Sequence, residues 1–153
     1  MINHCSVYRK DTGEIVSYSY FSCPDDADYI QANFNIRVTQ YGEEDHAFVA
    51  SESDPAIHYI NLVGDTPSVV LRPPIPYVID KTTLVAGTGD FVTITGLHNP
   101  CTIVVDDPDP AVATTTHVVE DGGFEFEPET PGVYIIEISR FPFLPATIEI
   151  TAT

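Results

Sequence analysis

The run Arg72-Pro73-Pro74-Ile75-Pro76, near the middle of this 153-residue sequence, limits the fold more than any other stretch. Proline has no backbone N–H and a fixed φ, so Pro73, Pro74 and Pro76 can neither donate to a β-ladder nor continue a helix. Closely spaced prolines favour a stiff, extended backbone. The run therefore reads as a semi-rigid connector over residues 72–76, joining one domain over 1–71 to a second over 77–153.

The hydrophobic pattern differs on the two sides of that run. Before it, residues 5–10 and 14–21 read as strands, and Lys10-Asp11-Thr12-Gly13 supplies a turn whose glycine tolerates positive φ. This register places Cys5 opposite a residue near Tyr20, not opposite Cys23. Cys23-Pro24-Asp25-Asp26-Ala27-Asp28 puts a proline and acidic residues where a helix N-terminus wants them. A short helix over roughly residues 24–33 is expected, with Tyr29, Ile30 and Ala32 supplying its apolar face. Extended segments follow over Ile36–Thr39, Ala47–Ser51 and His58–Val63, which makes the first domain a small α+β unit.

Beyond the prolines, short strands recur at close spacing: Thr82–Ala86, Phe91–Thr95, Thr102–Asp106, Thr116–Glu120, Phe124–Glu127, Val133–Ser139 and Ala146–Thr153. Apolar and polar residues alternate through Val133–Ile138 and Thr147–Thr151, the mark of a half-buried strand. Turn chemistry at Glu129-Thr130-Pro131-Gly132 precedes Tyr134, which stands near the start of the penultimate strand. That is the tyrosine-corner position of immunoglobulin-like domains, so Tyr134 is expected to bond its hydroxyl to nearby backbone. The expected fold class is mainly β, an α+β unit followed by a compact immunoglobulin-like β-sandwich.

Composition narrows function by exclusion. Six Lys and Arg against 23 Asp and Glu give a net charge of −17, opposite to what a phosphate backbone or an anionic membrane surface attracts. The charge is spread over both parts. Four basic and 11 acidic residues give −7 over 1–76, and two basic and 12 acidic residues give −10 over 77–153. No apolar stretch approaches the roughly 20 residues of a membrane helix, and the start Met1-Ile2-Asn3-His4-Cys5 lacks the pattern of a secretory signal. A soluble protein that folds in a cytoplasm is expected, with no nucleic acid partner and no membrane insertion.

Three cysteines and five histidines lack the spacing of a zinc or redox motif, so buried thiols and single histidines are expected. Gly87-Thr88-Gly89-Asp90 lies between strands and lacks the helix that would aim amides at a phosphate, so it reads as a hairpin turn. Asp106-Asp107-Pro108-Asp109 lacks the alternating ligands and glycine of a calcium loop and reads as solvated turn residues. The expectation is a non-enzymatic protein with no cofactor and no metal.

One series of segments carries a resemblance: Thr12-Gly13-Glu14-Ile15-Val16, Ser22-Cys23-Pro24, Gln31-Ala32, Asp54-Pro55-Ala56-Ile57-His58-Tyr59-Ile60 and Leu71-Arg72-Pro73-Pro74-Ile75-Pro76. In this order it resembles small proteins of tailed bacteriophages encoded near tail and tail-fibre genes. The resemblance covers roughly the first half of the chain. It departs at Tyr41-Gly42-Glu43-Glu44-Asp45-His46, where the family's small-residue and glycine segment is longer and acidic.

The resemblance implies a structural virion protein of the tail, baseplate or fibre region, made in the bacterial host cytoplasm. Its partners would be other virion proteins, in multiple symmetric copies. Capsid decoration, a tail-fibre assembly chaperone and a host-surface glycan-binding module are the alternatives, the last using Phe141 and Phe143. Within the series, Asp54, His58 and Tyr59 form either a contact surface or an Asp-Pro turn feeding a strand, and Asp-Pro favours the turn.

Overall fold

The computed structural model describes residues 2–22 and 26–153. The fold is mainly β and divides between Arg72 and Pro73 into two compact units, each with its own core.

The first unit is built around one central strand. β1 (Ile2–Arg9) pairs antiparallel with β2 (Ile15–Ser22) on one side and with β3 (His46–Val49) on the other. Cys5 lies opposite Ser19, one residue from the expected partner. Cys5 through Tyr8 are all buried because alternate side chains serve opposite faces of the sheet. Cys5 and Val7 pack with Phe34 and Val38 of α1 (Ala27–Thr39), while Tyr8 packs with Ile15 and Ile60. Ile60 belongs to a hairpin of β4 (His58–Asn61) and β5 (Ser68–Leu71).

The helix differs from its expectation. It starts at the Asp26 cap, whose carboxylate accepts from the N–H groups of Asp28 and Tyr29, and it continues through Ile36–Thr39, the segment expected to be extended. β-branched Ile36, Val38 and Thr39 favour a strand locally, but Ile30, Phe34 and Val38 stand four residues apart and form the buried seam. Tyr29 and Ala32, expected on the apolar face, are exposed. Residues 23–25, and with them the expected helix start at Pro24 and the Cys23 thiol, lie outside the described residues.

One glycine fixes how the hairpin meets the sheet. The Ile60 N–H donates to the Gly13 carbonyl at 2.8 Å, and Gly13 has a φ of +78°. A β-carbon there would stand 2.0 Å from the Ile60 oxygen, so the approach needs a residue with no side chain.

The second unit has two facing sheets. β6 (Val78–Ile79), β8 (Val92–Thr95) and β11 (Gly123–Phe126) form the smaller, in the order β11-β8-β6. β7 (Thr83–Leu84), β9 (Cys101–Asp106), β10 (Thr115–Val119), β12 (Gly132–Ser139) and β13 (Ala146–Ala152) form the larger, in the order β10-β9-β12-β13-β7. The expected alternation sets the register, with Tyr134 opposite Ile150 and Ile136 opposite Ile148, all four buried. Val92, Ile94, Ile103 and Ile138 complete the centre of this core.

Two expectations change here. β7 pairs parallel with β13 and β8 pairs with β11 and β6, so Gly87–Asp90 crosses from one sheet to the other and closes no hairpin. The semi-rigid connector expected over 72–76 is not separate from the two units, since from Pro73 on it belongs to the second. Pro74 bridges to Leu144, the Leu144 N–H donates to the Pro73 carbonyl at 2.8 Å, and the Ile75 N–H donates to the Leu144 carbonyl at 3.3 Å. Ile75 is buried in the second core. Proline lacks a donor but keeps its carbonyl, and Ile75 carries both groups, so the segment docks along one side.

Candidate functional site

The segments singled out in the first unit converge on one hairpin. The Asp54 carbonyl accepts from the N–H groups of Ile57 and His58 at 3.1 and 2.8 Å, and its carboxylate accepts from the Ala56 N–H at 2.9 Å. The Asp54 N–H donates to Nδ1 of His58 at 3.0 Å, which fixes that nitrogen as an acceptor and leaves the ring proton on Nε2. His58 then opens β4 opposite Leu71, and Tyr59 pairs with Val70.

Arg72 closes the arrangement. Its N–H donates to the Ile57 carbonyl at 2.8 Å and Nη1 donates to the Ala56 carbonyl at 3.2 Å. Beneath the turn, the hydroxyls of buried Ser53 and Ser6 stand 2.7 Å apart, and Ser6 also donates to the Ser51 carbonyl. The Asp-Pro segment is thus a rigid turn. It still presents apolar surface, since Ile57 is 42% and Leu71 67% exposed.

In the second unit, Tyr134 is 3% exposed. Its hydroxyl donates to the Thr130 carbonyl at 2.9 Å and accepts from the Thr130 N–H at 3.3 Å, while its ring meets Phe126 edge-on. Phe141 and Phe143 are half-buried. The Phe143 ring packs against the core and stacks on His98 at 4.7 Å, so it braces the segment before β13 and offers only part of a face to solvent.

Several titratable groups are bonded into turns and strand ends. Asp107 and Asp109 accept from backbone N–H groups two residues on, and Asp106 accepts from the Thr114 hydroxyl. Asp90 pairs with Lys81 and accepts from the Val85 N–H, which holds its carboxyl below the ordinary range. Burial pushes the Cys5 thiol up to about 11 against a weaker pull from Arg37, and raises the Cys101 thiol in the same way. Both thiols are buried and unpaired with any disulfide partner. Among the described residues, no group of three or more His, Cys, Asp or Glu is placed to hold a metal ion. No helix among them is long and apolar enough to cross a membrane.

A feature not expected from the sequence lies between the two sheets of the second unit. The free sides of β10 and β11 border two adjoining clefts, where the rings of His117 and Phe124 stand 5.2 Å apart. The sequence does carry a trace of it. Thr115 and His117 occupy alternate positions of a strand whose neighbour, β9, carries Val105 and Ile103 at the paired positions. Compared with protein-family models and with curated proteins, the sequence matches none.

Proposed function

We propose that the chain is a structural virion protein of a tailed bacteriophage, a component of the tail, baseplate or fibre region that works through protein–protein contacts. The observation that carries this reading is the convergence of Asp54–Tyr59 with Leu71-Arg72. These two segments of the phage-like series are separated in sequence yet are joined by the Arg72 bonds to Ala56 and Ile57. The result is a braced turn on rigid backbone that leaves the apolar side chains of Ile57 and Leu71 exposed. A rigid turn loses little conformational entropy when it docks, which suits a contact repeated around a particle.

The second unit is read as an immunoglobulin-like β-sandwich. Its two facing layers, antiparallel but for the β7–β13 pair, and the Tyr134 hydroxyl bonded back to Thr130 favour that assignment over other two-sheet folds. The strong net acidity would keep the copies apart and soluble before assembly. Mass spectrometry of purified phage particles tests the reading: the protein should be present in stoichiometric amounts. Its absence from particles whose fibres nevertheless depend on it would make the chain an assembly chaperone and end the structural proposal.

A further inference from the structure

We infer that the second unit accepts an extended, basic polypeptide segment as a fourth strand of its smaller sheet, paired along the free side of β11 and seated beneath β10. The inference rests on this unit's own layers and holds wherever the chain is located.

The layers are unequal. Thr115, His117 and Val119 of β10 pair with Val105, Ile103 and Cys101 of β9, all three of which face the core. Partners across a ladder share a face, so Thr115 and His117 also point toward the opposite sheet. Yet both are exposed, and only Val119 is buried. The opposite sheet ends at β11, and Phe124 and Phe126, which pair with the buried Ile94 and Val92, are only half-covered. The space facing β10 is the place of one further strand.

The backbone there is ready to pair. The Thr93 carbonyl accepts from the Asp80 N–H and the Thr93 N–H donates to the Asp80 carboxylate, so both Thr93 groups point toward the β6 side. Alternation turns Val92 and Ile94 toward β11. Their partners Phe126 and Phe124 therefore face inward along the ladder, and Glu125 turns its N–H and C=O to the free side. An open edge of this kind takes an incoming strand by main-chain hydrogen bonds, with alternate side chains giving selectivity.

Charge selects the occupant. Asp107, Asp109, Glu120, Asp121, Glu125 and Glu127 line the clefts, and no Lys or Arg does. A second copy of this chain would bring the same carboxylates to the edge, and its second unit has only Lys81 and Arg140 to offset them. A segment alternating Lys or Arg with β-branched residues satisfies both the acidic rim and the half-covered Phe124.

The test uses the full chain and a short fluorescein-labelled peptide alternating lysine with valine, followed by anisotropy. Binding is expected, with amide NMR shifts at His117, Phe124 and Glu125. A peptide N-methylated along its backbone keeps the charge but cannot donate main-chain bonds, and should bind at least about tenfold more weakly. Glu125→Pro removes one outward N–H and should weaken the parent peptide about fivefold. Glu125→Lys keeps that N–H and should weaken binding most at low salt. Equal affinity of the two peptides, equal binding of a glutamate-for-lysine peptide, no binding of the lysine peptide, or shifts elsewhere would overturn the inference. So would self-association of the chain through the same amides, which would make a second copy the occupant.

Discussion

Replacing Tyr134 by Phe isolates a single oxygen. The ring stays in place against Phe126, 5.0 Å away, so the apolar burial of the side chain is retained. What is lost is a hydroxyl that donates to the Thr130 carbonyl, accepts from its N–H, and lies 2.9 Å from its Oγ1. Each backbone bond is worth roughly 0.5–1.5 kcal/mol net. Thr130 itself is exposed, so water can replace part of what its backbone loses. The expected cost is about 1–2 kcal/mol, which for a domain of this size lowers the melting temperature by roughly 5–10 °C. Calorimetry of the full chain reads that shift in the transition of the second unit, and urea denaturation gives the free energy. Thr130→Val removes only the shared Oγ1 and should cost about 0.5 kcal/mol or less. A double-mutant cycle then assigns the remainder to the backbone bonds. An unchanged midpoint in Tyr134→Phe would refute the corner and leave Tyr134 as a packing residue.

Gly13→Ala should destabilise the first unit by more than about 2 kcal/mol, since it combines positive φ with a clash against backbone that has no rotamer to escape by. Wild-type stability in urea denaturation would sink that account. Ile75→Ala should cost about 2–4 kcal/mol in the second unit, and a fragment starting at Pro73 should melt at a higher temperature than one starting at Tyr77. Equal melting of the two fragments would return the proline run to the role of a connector. Asp90→Asn tests a pH dependence whose sign follows from the depressed carboxyl. The Asp90 contribution is present above the ordinary aspartate range near about 4 and fades as pH falls through the lower folded value. The stability gap between wild type and variant should therefore narrow on acidification, and a gap that widens would contradict the Lys81 pairing.

Legibility in the sequence followed the length and regularity of each pattern. The strands that became β12 and β13 were plain because Tyr134, Ile136 and Ile138 alternate with less buried residues against Ile148, Ile150 and Ala152. β5 carries no such signal, since Val69-Val70-Leu71 has no alternation and leads through Arg72 into prolines. β6 is two residues long, too short to show a period. The helix is hard to read where local and tertiary preferences conflict: β-branched residues at its end favour a strand, and only the Phe34 and Val38 burial against β1 decides otherwise. Among the candidate residues, the Asp54 turn was legible from Asp-Pro itself. Its junction with Arg72 was not, because the pairing of β4 with β5 brings those residues together.

The proline run shows why a sequence break and a structural break need not coincide. Missing N–H groups argue against a strand that pairs on both sides, and the run indeed pairs on one side, through the Pro73 carbonyl and both backbone groups of Ile75. The apolar side chain between the prolines then decides which unit owns the segment. Ile75 at 5% exposure contributes on the order of 2 kcal/mol of burial to the second core, whereas Arg72, the first residue of the run, is bonded into the first unit through Ala56 and Ile57. The boundary is therefore a single peptide bond between two anchored residues. Arg72 and Pro73 are each bonded to the framework of their own unit.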